Sequence, residues 1–234
     1  MFLSKLTIDP TSRHFRRDYA DIHEMHRTVM SAFPDVEGDV PARQAHGVLW
    51  RLEQNDQGFR LYVQSRTQPS WSSLPNYYLT EPHQVRDIAT VFDAITGGNK
   101  FAFRLVANPT RAVKRDEKQQ LERAQAGKRD QPRHVVLHAP QQQVEWLIRQ
   151  GERCGFVVPA GRNGRPDLAP YPAFRTQGQS QVESRINRIV IDQVRYDGHL
   201  IVTDSVQFAK ALGEGIGRAK AYGCGLISLA PPKA

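Results

Sequence analysis

Gly47-Val-Leu-Trp-Arg-Leu-Glu-Gln-Asn-Asp-Gln-Gly-Phe-Arg-Leu-Tyr-Val-Gln-Ser65 is the stretch on which the fold turns. Two runs rich in β-branched and aromatic residues, Gly47–Leu52 and Phe59–Ser65, flank Asn55-Asp-Gln-Gly58, a turn composition. The stretch reads as a hairpin. Upstream, Phe2–Ile8 alternates apolar and polar residues, with Leu6 and Ile8 on one face, and reads as a strand closed by Pro10. Between them, Ile22, Met25, Val29 and Phe33 recur at three- and four-residue steps, which predicts a helix over Asp18–Phe33 stopped by Pro34. Downstream, a weaker helical pattern covers Gln84–Ala94, and Lys100–Val106 alternates again before Asn108-Pro109. The order is strand, helix, strand, strand, helix, strand, which is the ferredoxin-like arrangement.

The same order recurs after residue 132. Arg133–His138 reads as a strand and Pro140 opens a helix over Gln141–Gln150. Gly155–Pro159 is a strand, and 160–173 is a polar loop. Arg185–Ile191 and Gln193–Tyr196 lead to Asp197-Gly198, read as a two-residue turn, with His199–Thr203 pairing back. Asp204 caps a helix over Ser205–Leu212, and Leu226–Ala230 is the last strand. The fold class expected is α+β with two tandem ferredoxin-like domains, 1–110 and 133–234. They are joined by a basic polar loop over 111–132 with a fragment of helix around Glu117–Ala126.

Composition narrows the function classes. The 234 residues carry 32 Lys+Arg against 24 Asp+Glu, a net charge of +8. Only 8 of the cations are lysine, leaving 24 arginines, whose forked guanidinium suits phosphate oxygens and bases. No run approaches the ~20 apolar residues of a membrane span. MFLSKLTIDP lacks a basic region followed by an apolar one, so the chain reads as cytoplasmic. Cys154 and Cys224 match no disulfide or zinc spacing and read as small hydrophobes in a reducing compartment. Nucleic acid is the partner that this balance favours, alongside a generally basic surface as the plain alternative.

Two motifs carry chemistry. Gly213-Glu-Gly-Ile-Gly-Arg-Ala-Lys-Ala-Tyr-Gly-Cys-Gly225 holds five glycines, with Arg218 and Lys220 among them, and could cradle a phosphate backbone. It follows a helix and leads into a strand, the reverse of a P-loop, which disfavours nucleotide hydrolysis. In Tyr19-Ala-Asp-Ile-His-Glu-Met-His-Arg27, helical spacing would set Tyr19, His23 and His26 on one face with Arg27 beside them. Two histidines suit general acid–base cleavage of RNA, one taking the ribose 2′-OH proton and one protonating the departing 5′-oxygen. The same pair could instead be one packed and one solvated histidine, and no partner set for a metal accompanies it. Basic and aromatic residues interleave at Phe174-Arg175 and Arg195-Tyr196. Lys114, Arg115, Arg185 and Arg188 are further candidates for gripping RNA.

These pieces together resemble a known family. Phe2–Leu6, Glu24-Met-His-Arg-Thr28 with Phe33-Pro34, Phe103–Pro109, Val144–Leu147 and above all Gly215–Ser228 followed by Leu-Ala-Pro231 are similar to the CasE family. These are the CRISPR repeat-processing endoribonucleases of the type I-E Cascade complex. The resemblance spans essentially the whole chain. It implies cleavage without a metal or other cofactor at the 3′ base of the repeat hairpin in precursor crRNA, giving a 2′,3′-cyclic phosphate. It implies that the enzyme keeps its product and joins the other Cascade subunits. The family's active-site histidine falls on His26. A tyrosine three residues earlier in some members is His23 here, leaving either His23 or Tyr19 as partner. Gly215, Gly217, Gly223 and Gly225 would pack against or touch the RNA backbone. The alternative is an RNA-binding subunit that does not cut.

Overall fold

The structure is a computed structural model. It describes residues 1–116, 120, 125, 127, 132–182 and 185–232, with only the backbone of 173, 182 and 185. The first unit contains β1 (Phe2–Ile8), α1 (Arg13–Ala20), α2 (Ile22–Met30), α3 (Ala42–Ala45), β2 (Leu49–Asn55), β3 (Gly58–Ser65), β4 (Gln84–Asp87) and α4 (Ala89–Asp93). Its strands lie in the order β2-β3-β1-β4. The predicted hairpin forms, with Leu52 opposite Leu61 and Asn55 opposite Gly58. The Asn55 carboxamide closes the turn by accepting the Gln57 amide at 3.0 Å.

The second unit contains β5 (Lys100–Ala107), α5 (Pro140–Arg153), β8 (Phe156–Val157), β10 (Arg185–Val202), α6 (Ser205–Glu214) and β11 (Ile227–Ala230), after the side hairpin β6 (Thr110–Val113) and β7 (Arg133–Val136). Its sheet runs β11-β5-β10-β8, and β9 (Leu168–Val182) pairs along β10. Numbered within each unit, both sheets have the order 4-1-3-2 of a ferredoxin-like fold. Each buries its own core. Leu6, Met25, Val29, Trp50 and Leu61 fill the first, and Leu105, Leu147, Phe156, Tyr196 and Phe208 the second.

The structure corrects five expectations. The helix expected over Asp18–Phe33 is two helices. Asp21 is extended (φ −130°), and its carboxylate accepts the His23 amide at 2.8 Å to start α2. Ile22, Met25 and Val29 remain the buried face. Gln84–Ala94 is helix only in its second half, as α4 over Ala89–Asp93, because β4 occupies Gln84–Asp87 and pairs with β1. The second helix of the first unit is therefore reduced to a 3-10 turn over Trp71–Ser73. Lys100–Ala107, expected to close the first sheet, sits instead in the second between β10 and β11, with Leu105 opposite Tyr196 and Ile227. Arg133–Val136, expected to open the second sheet, pairs only with Thr110–Val113. Fifth, Asp197-Gly198 is not a turn but lies inside β10, paired with Ala169 and Leu168. Gly198 is needed for space: a β-carbon there would strike the Asp167 carbonyl. The helix fragment expected around 117–126 lies almost entirely outside the described residues.

The two units are clasped by polar groups. Arg51, 3% exposed, reaches from β2 to the carbonyl of Leu226 at 3.0 Å and the Ser228 hydroxyl at 3.0 Å. Its Nε meets Glu53 at 2.8 Å, Glu53 meets Arg104 at 3.2 Å, and Arg104 meets Asp197 at 2.7 Å. The Gln64 amide nitrogen donates to the Leu212 carbonyl at 2.7 Å.

Candidate active site

Both histidines project from α2 into the crease between the units. His23 and His26 have ring centroids 6.5 Å apart, and each is partly buried, with an Nδ1 that is enclosed and unpartnered. Burial first, then the His23 ring and the Arg43 charge, lowers the His26 pKa from 6.5 to about 4. At neutral pH His26 is therefore an uncharged imidazole, able to accept a proton. A partly buried ring whose enclosed Nδ1 has no hydrogen-bond partner is poorly explained as a packed core histidine.

A third ring completes the cluster, and it comes from the glycine-rich segment. Tyr222 lies with its centroid 6.2 Å from His26 and 6.5 Å from His23. The loop that carries it is held from both units. The Trp50 indole donates to the Ala221 carbonyl at 3.1 Å, and the Gln193 amide nitrogen donates to the Tyr222 carbonyl at 3.0 Å. Gly223 is left-handed (φ +76°) because the Trp50 ring fills the place of a side chain, 2.9 Å from where a β-carbon would stand. Gly215 packs in the same way on Leu49, Gly217 on Trp146, and Gly225 on the Ile216 backbone. Close packing, between the units at Gly215 and Gly223 and within the second unit at Gly217 and Gly225, accounts for these four glycines without an RNA contact.

The N-terminus of α2 is tied to the second unit. Asp21 also accepts the Gln179 amide of β9 at 3.2 Å, and Gly178 presses so closely that a β-carbon would collide with the Asp21 carboxylate. Beside the crease, Arg43, Gln44, Gly47, Arg66, Gly213, Glu214 and Lys220 line a recess of about 230 Å³. Burial, followed by repulsion from Arg66, lowers the Arg43 pKa. Burial, followed by repulsion from Arg43, lowers that of Lys220. Glu214 is the one carboxylate lining the recess against these three cations, so an anionic ligand would balance the remaining charge.

The sequence-predicted residues divide accordingly. His23, His26 and Lys220 are at the crease. Tyr19 lies before the Asp21 break, so its four-residue step to His23 is not helical, and its ring packs on Phe15 (5.7 Å) and Phe59 (5.3 Å) instead. Arg27 is exposed and paired with Glu24 at 3.0 Å. Arg175 is exposed on β9, with its Nε 3.5 Å from Asp192, and Arg188 is exposed on β10. The backbone of Arg185 opens β10; its side chain lies outside the described residues. Lys114 is exposed after β6, Arg115 is partly buried, and Arg218 is exposed, with its backbone bridged to Asn108. Sequence reasoning missed Tyr222, Arg43, Arg66, Asp21 and Gly178. Only Tyr222 had a signal, as the one aromatic within the glycine-rich segment.

Among the described residues no three His, Cys, Asp or Glu side chains come together as a metal site, and no helix is long and apolar enough to cross a membrane. Cys224 is fully enclosed, which pushes its thiol up to about 12.

Fold and site define a tandem ferredoxin-like protein with a histidine–tyrosine cluster in the crease between its halves. The chain belongs to the CRISPR-associated protein family, whose model matches residues 1–231. It is 32% identical over 99% of its length to the whole of the CRISPR-associated endoribonuclease Cse3 of Thermus thermophilus. It is 26% identical, over 99% of this chain and 100% of the relative, to the Cascade subunit CasE of Escherichia coli K12. A structure of Thermus thermophilus Cse3 bound to an RNA representing a pre-cleavage complex superposes with a TM-score of 0.71 at 30% identity, covering 98% of both chains. Another, of Cse3 bound to a 19 nt RNA, gives 0.75 at 30% identity, covering 99% of this chain and all of the other.

Proposed function

We propose that this chain is a metal-independent endoribonuclease. It binds the CRISPR repeat hairpin, cuts precursor crRNA at the 3′ base of the stem, and leaves a 2′,3′-cyclic phosphate. It then keeps its product and works in the cytoplasm with the other subunits of a Cascade-type complex. The observation that carries this reading is His26, an uncharged, partly buried imidazole set in a crease beside a recess where three cations meet one carboxylate.

His26 accepts the proton of the ribose 2′-OH as the 2′-oxygen attacks phosphorus. The P–O5′ bond breaks and the 5′-oxygen leaves as a hydroxyl. Arg43 and Lys220 lie where they would stabilise charge gathering on the phosphate, in a site that already disfavours two adjacent cations. The exposed Arg27, Arg175, Arg188, Lys114 and Arg218, together with Arg115 and Arg185, supply backbone contacts to the stem, while Gly215 and Gly223 hold the crease together. Tyr19, 46% exposed, packs the edge of the first unit through Phe15 and Phe59.

The test is to incubate the chain with the hairpin repeat of its own genome in EDTA. One cut at the 3′ base of the stem, with a 2′,3′-cyclic phosphate on the upstream fragment, is the expected result. Binding without cutting would instead make the chain an RNA-holding subunit.

A further inference from the structure

An in-line displacement at phosphorus puts the attacking and leaving oxygens on opposite sides of the phosphate. The group that takes a proton and the group that gives one must therefore reach opposite sides of the phosphorus, which rings on facing walls of a crease do most directly. His23 and His26 stand on the same wall, one turn apart on α2. Tyr222 faces them from the other wall, carried by the loop of the second unit, with its ring at 71° to that of His26. Among the described residues the Tyr222 ring packs against the neighbouring apolar clusters, a role that does not require its hydroxyl. The loop is anchored through backbone carbonyls, those of Ala221 and Tyr222, and through the Gly223–Trp50 contact. Tyr222 is partly exposed. Burial, followed by the nearby Asp21 carboxylate, raises its pKa above the ordinary tyrosine value, so the phenol keeps its proton.

We infer that Tyr222 is the proton donor to the leaving 5′-oxygen, opposite His26. The inference rests on the endoribonuclease reading. As the 2′-oxygen bonds to phosphorus and gives its proton to His26, the P–O5′ bond breaks and the electron pair on the 5′-oxygen takes the phenolic proton. The cyclic phosphate and a free 5′-hydroxyl are formed. The phenolate and the imidazolium then exchange a proton through water, restoring both groups. His23 is left as a positioning residue, whose ring limits where His26 can swing.

The test compares wild type, Tyr222→Phe, His23→Gln and His26→Ala on two versions of the repeat hairpin. One carries the natural scissile linkage and the other a sulfur in place of the bridging 5′-oxygen. A thiolate leaves without a proton, so loss of the proton donor is masked in the sulfur substrate. Single-turnover rates at saturating enzyme exclude binding differences, and Tyr222→Phe keeps the ring that packs in the crease. Tyr222→Phe should cut the oxygen substrate about 10²-fold or more slowly, the usual scale for a general acid, and the sulfur substrate at nearly the wild-type rate. His26→Ala should be slow on both. The assignment is overturned if Tyr222→Phe cuts the oxygen substrate at the wild-type rate, if it is equally slow on both, or if His23→Gln is the variant that sulfur rescues. Wild type that fails to cut either hairpin removes the parent reading, and this inference with it. Cutting by wild type with any of those three results removes this inference alone.

Discussion

The burial of His26 should be measurable without RNA, as acid sensitivity of the fold. In the unfolded chain this imidazole titrates at its ordinary value near 6.5, and in the folded chain at about 4. Between those values the unfolded state binds the proton and the folded state does not, so stability falls as pH falls. The effect is absent above about pH 7 and complete below about pH 4, where two and a half pH units correspond to about 3 kcal/mol. At pH 5 about 2 kcal/mol of it is already expressed. Urea unfolding of wild type and His26→Gln at pH 7.5 and pH 5.0 isolates the effect, because every other titrating group is common to both. Wild type should lose about 2 kcal/mol more than the variant over that interval. Parallel losses would mean that the imidazole is solvated in the folded chain, and the argument for a desolvated proton acceptor would fail.

Other expectations follow from the clasp and the crease. Arg51→Met takes one of Glu53's two cations and leaves the buried Leu226 carbonyl and the Ser228 hydroxyl without their donor, and should cost about 3–5 kcal/mol, read as a lower urea midpoint with an unchanged slope. Gly178→Ala drives a methyl group into the Asp21 carboxylate. It should cost about 1–3 kcal/mol and slow cleavage by displacing the start of α2, whereas Arg175→Ala, three residues away, should leave thermal stability unchanged. Tyr19→Phe should cut at the wild-type rate, since the ring serves Phe15 and Phe59; a large loss would return Tyr19 to the active site. Arg43→Ala should weaken RNA binding and lower the slope of log affinity against log salt by about one; an unchanged slope would place the phosphates elsewhere.

Alternation and helical steps made both ferredoxin-like halves legible because each strand has one buried face, as in Leu6 and Ile8 or Leu105 and Ala107. Partnership was harder to read. Lys100–Ala107 has the same pattern whichever sheet it joins, so its place between β10 and β11 follows only from which neighbours close the second core. The break at Asp21 was hidden because the apolar period of Ile22, Met25 and Val29 can be extended backwards without conflict. A capping aspartate with an extended backbone overrode it. His26 was legible from local spacing and family resemblance. Tyr222 was not, because about two hundred residues separate it from α2 and only the packing of Trp50 and Gly223 brings the two together.

The most direct test is single-turnover cleavage of the matched repeat hairpin by wild type and His26→Ala, in EDTA at neutral pH, with binding measured on a 2′-deoxy substrate that cannot be cut. The account predicts equal affinity and a rate about 10²–10⁴-fold lower for the variant, the scale of a lost general base. Cleavage by His26→Ala at the wild-type rate would contradict it.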